Sequence, residues 1–261
     1  MAVDNRVYDR DAEKWWSGDS PLTLLKGINP ARIGYLHTVF SQKPHSELKN
    51  ISVLDIGCGG GFLAEELAGL GCRVTGVDPS TNSIETARQH AEHFGFNITY
   101  QVACGEQLPF DDNSFDMVCC CDVLEHVDNV GAVIRESSRV LKPSGIFFYD
   151  TINRTWFSRF AAIGLFQKWK WLKIMPSRTH DWNQFIRPKE LGKIMIDNGL
   201  MPRHLTGLIP AMNPLATLKR LVIIRKLKQG KASYAELEQH MIFHPSRLRF
   251  MNYMGYALKI K

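Results

Sequence analysis

The sequence predicts an α/β fold in which a doubly wound, mostly parallel sheet of seven strands is preceded by helices and carries an inserted lobe on the substrate side. The first observation is an apolar run at residues 51–56 that ends at clustered glycines and is followed by helical spacing of Phe62, Leu63, Leu67 and Leu70. The second is that apolar runs and helical patterns keep alternating as far as residue 152. Strands separated by helices run parallel. The predicted strands are residues 51–56, 73–78, 98–102, 115–121, 146–149, 203–208 and 253–260.

The pattern divides the chain into three parts. Residues 1–50 form a helical cap, 51–152 a nucleotide-binding core, and 153–261 the C-terminal part of the sheet with basic and aromatic insertions. In the cap we expect an amphipathic helix over 11–16 and a second helix from Pro30 to about Phe40, because proline suits a helix start. These helices either cover the sheet edge or form a lid over a ligand, with Trp15 or Trp16 as an aromatic wall.

Composition and length describe an ordinary globular chain. The 261 residues are 44% hydrophobic and 22% charged, which is typical of a soluble protein. No apolar run approaches the roughly 20 residues of a membrane span, and the first residues lack the character of a signal or transit peptide. The six cysteines form no C-x-x-C pair, which suits reduced thiols. We therefore expect a cytoplasmic protein.

Charge is distributed unevenly along the chain. Residues 1–150 hold 12 Lys and Arg against 21 Asp and Glu, a balance of −9. Residues 151–261 hold 20 against 5, a balance of +15, and the two halves sum to the net charge of +6. The basic half therefore predicts an anionic partner or surface.

The glycine turn after the first strand indicates which ligand is bound. It reads Asp-x-Gly-x-Gly-x-Gly, with Asp55, Gly57, Gly59 and Gly61. A dinucleotide fingerprint requires a third glycine at position 62, where Phe62 stands. The arrangement resembles the first motif of class I S-adenosylmethionine (AdoMet) methyltransferases, and the resemblance implies that this turn contacts AdoMet.

A second acid strengthens the prediction of a nucleoside ligand. Asp78 ends the next predicted strand, and an acid at such a strand end can accept hydrogen bonds from both ribose hydroxyls. Alternatively, Asp78 caps the helix that begins near Ser80. The two roles are compatible.

Further segments resemble the ubiquinone-pathway O-methyltransferases, which methylate catechol-type hydroxyls on polyprenylated benzene rings. The resemblance covers most of the chain and fades between residues 210 and 250. The matching segments are Trp15-Trp16, Ile28-Asn29-Pro30 with Arg32 and Tyr35, Val53–Gly61, Asp122-Val123-Leu124-Glu125-His126-Val127, Leu141-Lys142-Pro143, Asn153-Arg154, Thr179-His180-Asp181 with Phe185-Ile186-Pro188 and, weakly, Asn252-Tyr253-Met254.

The resemblance also implies cofactor contacts outside the glycine turn. Arg32 would bind the AdoMet carboxylate, because a guanidinium fork matches a carboxylate. Cys121 lies at the mouth of the fourth strand, where its backbone would meet the cofactor. The position that holds an acid for the adenine amine in many relatives is occupied by Cys104, and Glu106 is the substitute.

Two sets of residues are candidates for the chemistry of transfer. Asp122, Glu125 and His126 follow the fourth strand, and the resemblance implies that they bind a divalent ion, Mg²⁺ or Zn²⁺. Many metal-free methyltransferases carry Glu-His at the same place. Without a metal, His126 or His180 is the natural general base. His180 has the alternative role of a hydrogen-bonded structural histidine.

These observations predict an AdoMet-dependent O-methyltransferase acting on a hydroxyl of a phenolic or catechol small molecule, with or without a polyprenyl tail. One alternative is a methyltransferase of another small molecule in secondary metabolism. Another class is a non-catalytic AdoMet-binding or nucleic-acid-binding protein that uses its basic C-terminal part. Nucleic acid is disfavoured, because no Asn-Pro-Pro-Tyr-type motif follows the fourth strand.

The segment 156–175 interleaves Trp and Phe with Lys and Arg, and 218–228 is basic and apolar. Aromatic rings favour the membrane interface, and neighbouring cations are attracted to anionic lipid. We therefore expect docking on an anionic membrane, on its inner face, or uptake of a lipid-tailed substrate. The alternative is an insertion that packs its aromatics on the sheet and leaves its lysines in water.

Overall fold

A computed structural model describes residues 5–41, 48–211 and 213–260. Its described part contains one eight-stranded sheet with the order β3-β2-β1-β4-β5-β8-β6-β7. The first five strands are parallel, and β8, β6 and β7 each pair antiparallel with the strand before them in that order. The strands are β1 Ser52–Ile56, β2 Arg73–Asp78, β3 Thr99–Val102, β4 Phe115–Cys121, β5 Leu141–Ile152, β6 Leu200–Pro210, β7 Phe243–Ser246 and β8 Asn252–Lys259.

The doubly wound, mostly parallel sheet is confirmed, but the predicted number of strands was wrong by one. The additional strand is β7, which pairs with the end of β6 at the sheet edge. It is four residues long and contains Pro245. Proline argues against a strand unless the strand lies at an edge, so the local pattern did not identify it.

The helices cover both faces of this sheet. The short α6 continues into a π-helical segment, Arg159–Lys168. The helices are α1 Arg6–Arg10, α2 Asn29–Ser41, α3 Phe62–Gly69, α4 Thr81–His93, α5 Val130–Val140, α6 Trp156–Ser158, α7 Pro188–Asp197, α8 Pro214–Lys228 and α9 Tyr234–Glu238.

The cap differs from expectation at its start. The helix expected over 11–16 is replaced by α1 and a single 3₁₀ turn, Ala12–Lys14. Tertiary contacts of Trp15 and Trp16 with the glycine turn override the helical pattern there. The second helix is confirmed: α2 has Pro30 in its first turn and buries Leu36 and Phe40.

The insertions after β5 and β6 pack together. Ile174 from the first insertion and Ile223, Ile224 and Leu237 from the second share one hydrophobic cluster with Leu24 of the cap. This cluster is the hydrophobic core of the inserted lobe. Within the described residues, the helices are all too short or too polar to cross a membrane.

Strand order reverses between β1 and β4, which pair side by side. In open α/β sheets ligands bind at the carboxyl ends of the strands at such a reversal. The glycine turn follows β1, Asp78 ends β2 and Cys121 ends β4. The sheet therefore gathers three predicted contact points at one edge.

Candidate active site

A cavity of about 620 Å³ opens at this edge of the sheet. Among the predicted cofactor contacts, Gly61 does not line it. The others do: Arg32, Asp55, Gly57, Gly59, Asp78, Cys104, Glu106 and Cys121. The structure therefore brings the glycine turn, Asp78, and the residues Cys104 and Glu106 predicted to contact adenine into the lining of one cavity.

The glycine turn is constrained from two sides. Gly57, Gly59 and Gly61 all have positive φ, which glycine adopts without strain. A Cβ on Gly59 would overlap the ring of Trp15, and one on Gly61 would overlap the hydroxyl of Tyr100. The glycines at 59 and 61 are thus required by packing within the protein. Gly61 precedes α3 rather than facing the cavity.

Asp78 fastens the turn to the next strand. Its Oδ2 accepts the backbone N–H of Gly59 at 3.0 Å, and its Oδ1 accepts that of Ser80 at 2.8 Å. The N-cap of α4 is Ser80, whose Oγ accepts from the Ser83 N–H, so the capping role falls to Ser80. Burial raises the pKa of Asp78, opposed by the two N–H bonds. A carboxylate has about four acceptor sites, so sites remain for ribose hydroxyls.

Arg32 is held by two acids, Asp122 in the cavity lining and Asp150 buried behind it. Its Nε and Nη2 donate to Asp150 at 2.7 and 3.0 Å, and Nη2 also donates to Asp122 at 2.5 Å. Asn29 Oδ1 accepts from Nη1 at 3.1 Å. Asp150 was missed by sequence reasoning, because its only local signal is its position near the end of β5. Arg32 lines the cavity, and its binding of the AdoMet carboxylate stays a prediction.

Asp55 lies under the glycine turn with 3% of its surface exposed. Burial raises its pKa to about 7, which the nearby Arg32 charge opposes. This acid is therefore partly protonated near neutral pH. Its charge therefore changes at pH values close to the physiological one.

The two tryptophans of the cap have different roles. Trp15 is buried, donates from Nε1 to Ser83 Oγ at 3.1 Å and lines the cavity. Trp16 donates to the carbonyl of Gly60 and stacks on His90 at 3.5 Å, outside the cavity lining. Trp15 is thus the aromatic wall, and Trp16 anchors the cap.

A second, smaller cavity of about 120 Å³ adjoins the first. Most of its lining is apolar and comes from the cap, the insertion after β5 and the segment before β8. Tyr8, Leu25, Asp122 and His126 line both cavities. We call the larger one the cofactor cavity, the smaller one the acceptor cavity, and these four residues the junction.

Two neutral imidazoles lie at the junction and beside it. The rings of His126 and His180 are 5.2 Å apart, and the Nδ1 atom of each is buried without a hydrogen-bond partner among the described residues. Burial lowers the pKa of His126 to about 3, helped by the proximity of His180, and lowers that of His180 to about 4. Both predicted base candidates are therefore neutral at neutral pH, and each has one ring nitrogen without a hydrogen-bond partner among the described residues.

Tyr8 was missed by the sequence analysis. Its hydroxyl lies 3.4 Å from His126 Nε2, and its pKa is raised by burial and by three nearby carboxylates, so it stays protonated. Asn5 Nδ2 also donates to the carbonyl of His126 at 2.9 Å. Residues at the start of the cap thus contact both the ring and the backbone carbonyl of His126. A tyrosine in a short N-terminal helix gives no local signal of this contact.

The predicted metal ligands are not arranged as a metal site. Across 5–41, 48–211 and 213–260, no group of three His, Cys, Asp or Glu side chains is placed to hold a metal ion. Asp122 is committed to Arg32, and Glu125 is 1% exposed and accepts from Thr151 Oγ1 at 2.7 Å. Burial raises the pKa of Glu125 and favours its uncharged form. As placed, these residues do not fit a divalent ion.

Known proteins are similar to this chain in sequence and in fold. A family described as a methyltransferase domain matches residues 54–149. The ubiquinone biosynthesis O-methyltransferase of Methylocella silvestris is 39% identical over 214 residues, covering 77% of this chain and 82% of that protein. The protein of the same name from Pelagibacter ubique is 40% identical over 210 residues, covering 77% and 85%.

In structure, the YcgJ protein of Bacillus subtilis superposes with a TM-score of 0.59 at 20% identity, over 87% of this chain and 97% of that one. That likeness supports the fold. The identities and coverage of the sequence relatives show the family as well. The chain is an AdoMet-dependent methyltransferase and belongs to the ubiquinone biosynthesis O-methyltransferase family.

Proposed function

We propose that this enzyme methylates a hydroxyl of a phenolic or catechol molecule that carries an apolar, polyprenyl-type substituent. The observation that carries the proposal is the junction, where a cofactor cavity and an apolar acceptor cavity share Asp122, His126 and Tyr8. The names of the sequence relatives support the same substrate class.

AdoMet supplies a methyl group on a positively charged sulfur. The chain's own contribution is alignment, since the cofactor cavity and the acceptor cavity meet at one short boundary and fix the line between donor and oxygen. Trp15 and other residues of the cap line the cofactor cavity on one side.

His126 is the proposed base, because it lines both cavities whereas His180 lines only the acceptor cavity. Its lowered pKa keeps it neutral but makes it a weak proton acceptor. A weak base requires an acidic hydroxyl, because proton transfer follows the pKa difference between the two groups. This supports a phenolic acceptor over an aliphatic alcohol.

A divalent ion at Asp122, Glu125 and His126 remains the alternative means of deprotonation, although the residues as placed do not fit it. Transfer measured after exhaustive chelation separates the two. Full activity in excess chelator supports the histidine base. Loss of activity that Mg²⁺ or Zn²⁺ restores would favour the metal.

We further propose that the insertion after β5 docks on an anionic membrane from which the acceptor is drawn. Trp156, Phe160, Trp169 and Trp171 are 51–76% exposed, contrary to an insertion that packs its aromatics on the sheet. Leu215 and Leu218 of α8 are also exposed. Phe166 and Ile174 of the same insertion line the acceptor cavity, so the surface and the cavity share one segment.

The experiment uses AdoMet with a deuterated methyl group and three acceptors: a 4-alkylcatechol, a 4-alkylphenol and an alkyl alcohol of equal chain length. Mass spectrometry should find label on the catechol, with His126→Ala reducing the rate and AdoMet binding retained. Label on the alcohol alone, or on none of the three, would contradict the proposed substrate class.

A further inference from the structure

One residue in the lining of the acceptor cavity has a carboxamide oxygen without a hydrogen-bond partner among the described residues. Asn252 begins β8, is 8% exposed and lines this cavity. Its Oδ1 is buried and accepts no hydrogen bond from the described residues. A buried acceptor left unpaired costs free energy, so its retention needs a reason. A ligand that supplies the missing donor is such a reason.

The backbone of Asn252 is held firmly. It pairs with Ile152 of β5 on one side and with Leu208 of β6 on the other. Ile152 lines the same cavity. A residue fixed between two strands cannot move its backbone toward a distant donor, whereas a ligand in the cavity that Asn252 lines can bring a donor to it.

The rest of the lining limits what that group is. Among the described residues, no lysine or arginine lines the acceptor cavity, and the only acids that do are Asp11 and Asp122. A carboxylate on the ligand would find no cation there. An oxygen acceptor in a largely apolar wall matches a neutral hydroxyl, which can donate one hydrogen bond.

We propose that Asn252 binds the hydroxyl of the catechol that is not methylated. The inference rests on the proposed function and adds a specificity-determining residue to it. With one hydroxyl donating to Oδ1, its neighbour on the ring is presented at the junction. There the O–CH₃ bond forms as the S–CH₃ bond breaks, and the proton of the attacking hydroxyl passes to the base.

Two consequences follow for the choice of acceptor. A ring with two adjacent hydroxyls is favoured over a ring with one, because a site built to hydrogen-bond a hydroxyl rejects the analogue that lacks it. On an unsymmetrical catechol, one of the two oxygens is methylated in preference to the other. Both properties depend on the same carboxamide.

The test replaces Asn252 by leucine, which has a similar size and no polar atoms. The ratio of kcat/KM for a 4-alkylcatechol to that for the 4-alkylphenol should fall about tenfold, as for the loss of one hydrogen bond. The regioisomers formed from the 4-alkylcatechol should approach an even mixture. Because Oδ1 accepts no hydrogen bond from the described residues, the melting temperature of Asn252→Leu should not fall.

Asn153 is the matched control, since it is equally buried at 8% exposed, lies outside both cavities and donates from Nδ2 to the carbonyl of Arg249. Asn153→Ala should lower the melting temperature by a few degrees, about 2–6 °C. It should leave the catechol preference unchanged. A purely structural role for Asn252 predicts the same pattern for both variants.

Binding is measured separately by calorimetry with S-adenosylhomocysteine present, so that the result does not depend on turnover. Wild type should bind the alkylcatechol about tenfold more tightly than the alkylphenol, and Asn252→Leu should bind both alike. Unchanged preference in Asn252→Leu, or no binding of the alkylcatechol to wild type, would overturn the inference. Transfer to catechol by wild type with that preference unchanged would leave the proposed function standing and reject only the role of Asn252.

Discussion

Asp55 and Asp78 lie on neighbouring strands at the same edge of the sheet, but their hydrogen bonding differs. Asp78 accepts two backbone N–H groups, from Gly59 and Ser80. Asp55 is almost fully buried and has a pKa raised to about 7. Asp78 is positioned as a hydrogen-bond acceptor, and Asp55 is the acid whose charge changes near neutral pH.

Replacing Asp78 by alanine should weaken AdoMet binding by on the order of 2–4 kcal/mol, because two ribose hydrogen bonds to a charged group are lost. The same change frees the N–H of Gly59 and loosens the turn. Calorimetry with AdoMet measures the loss, and Asp111→Ala, in the exposed loop before β4, serves as the control. Equal affinity of wild type and Asp78→Ala would reject this site for the cofactor.

Asp55→Asn should change how stability depends on pH. The folded-state pKa of Asp55 is about 7 against an ordinary value of 3.8, so its contribution to stability is fully present below pH 3.8 and is lost as pH rises through 7. The asparagine variant has no such loss. The free energy of unfolding of the variant, relative to that of wild type, should rise between pH 4 and 7 by up to about 1.4 kcal/mol per pH unit. Urea unfolding at several pH values measures this, and parallel curves for the two proteins would contradict it.

Residues that act where their own strand ends could be predicted from sequence, whereas those whose role depends on distant partners could not. Asp78 and Cys121 lie at the edge because strand ends meet there. Asp150 acts through Arg32, which is 118 positions away, and Tyr8 acts through His126, also 118 positions away. Asn252 was identified because its buried Oδ1 has no hydrogen-bond partner among the described residues, and a local sequence pattern does not reveal such a feature.

At the scale of elements, the sequence pattern left open whether the cap covers the sheet edge or lies over the ligand site, and the structure places Trp15 of the cap in the lining of the cofactor cavity. Its 3₁₀ turn places Trp15 against the glycine turn and Trp16 against His90 of α4. Asp9 adds a hydrogen bond from Ser80 Oγ at 2.9 Å. The cap is thus attached to the cofactor-binding edge at several points, and the sequence predicted its helical character but not these contacts.

The adjacent tryptophans allow a matched comparison. Trp15→Ala should destabilise the fold by about 3–5 kcal/mol and weaken AdoMet binding, because a buried ring that lines the cofactor cavity is removed. Trp16→Ala should have a smaller effect on AdoMet affinity, because its ring lies outside the lining. Thermal melting and calorimetry on both variants measure this. Equal losses of affinity would argue against Trp15 as a cavity wall.

Over the whole molecule, charge and exposed aromatic surface coincide. The C-terminal residues 151–261 carry +15, and their exposed rings include Trp169 and Trp171. Lys168, Lys170 and Lys173 lie beside these rings in sequence. The pattern predicted this composition, but only the structure distinguishes exposed rings from the inward-facing Phe166.

In flotation experiments the protein should bind liposomes that contain phosphatidylglycerol or cardiolipin, and salt should weaken the binding. Trp169→Ala with Trp171→Ala should release the protein without unfolding it, as should glutamate at positions 168, 170 and 173. The same charge change at Lys14, Lys49 and Arg73 is the control. Wild type that stays unbound on anionic liposomes at low salt would point to a water-soluble acceptor.

The most direct test of the account is a crystal structure with S-adenosylhomocysteine and a 4-alkylcatechol. The cofactor should lie along Gly57, Gly59 and Asp78 with its sulfur at the junction. The catechol should lie in the acceptor cavity with one oxygen beside His126, at a distance from the sulfur that leaves room for a methyl group in line. A cofactor bound away from the glycine turn, or a catechol bound outside the acceptor cavity, would contradict the account.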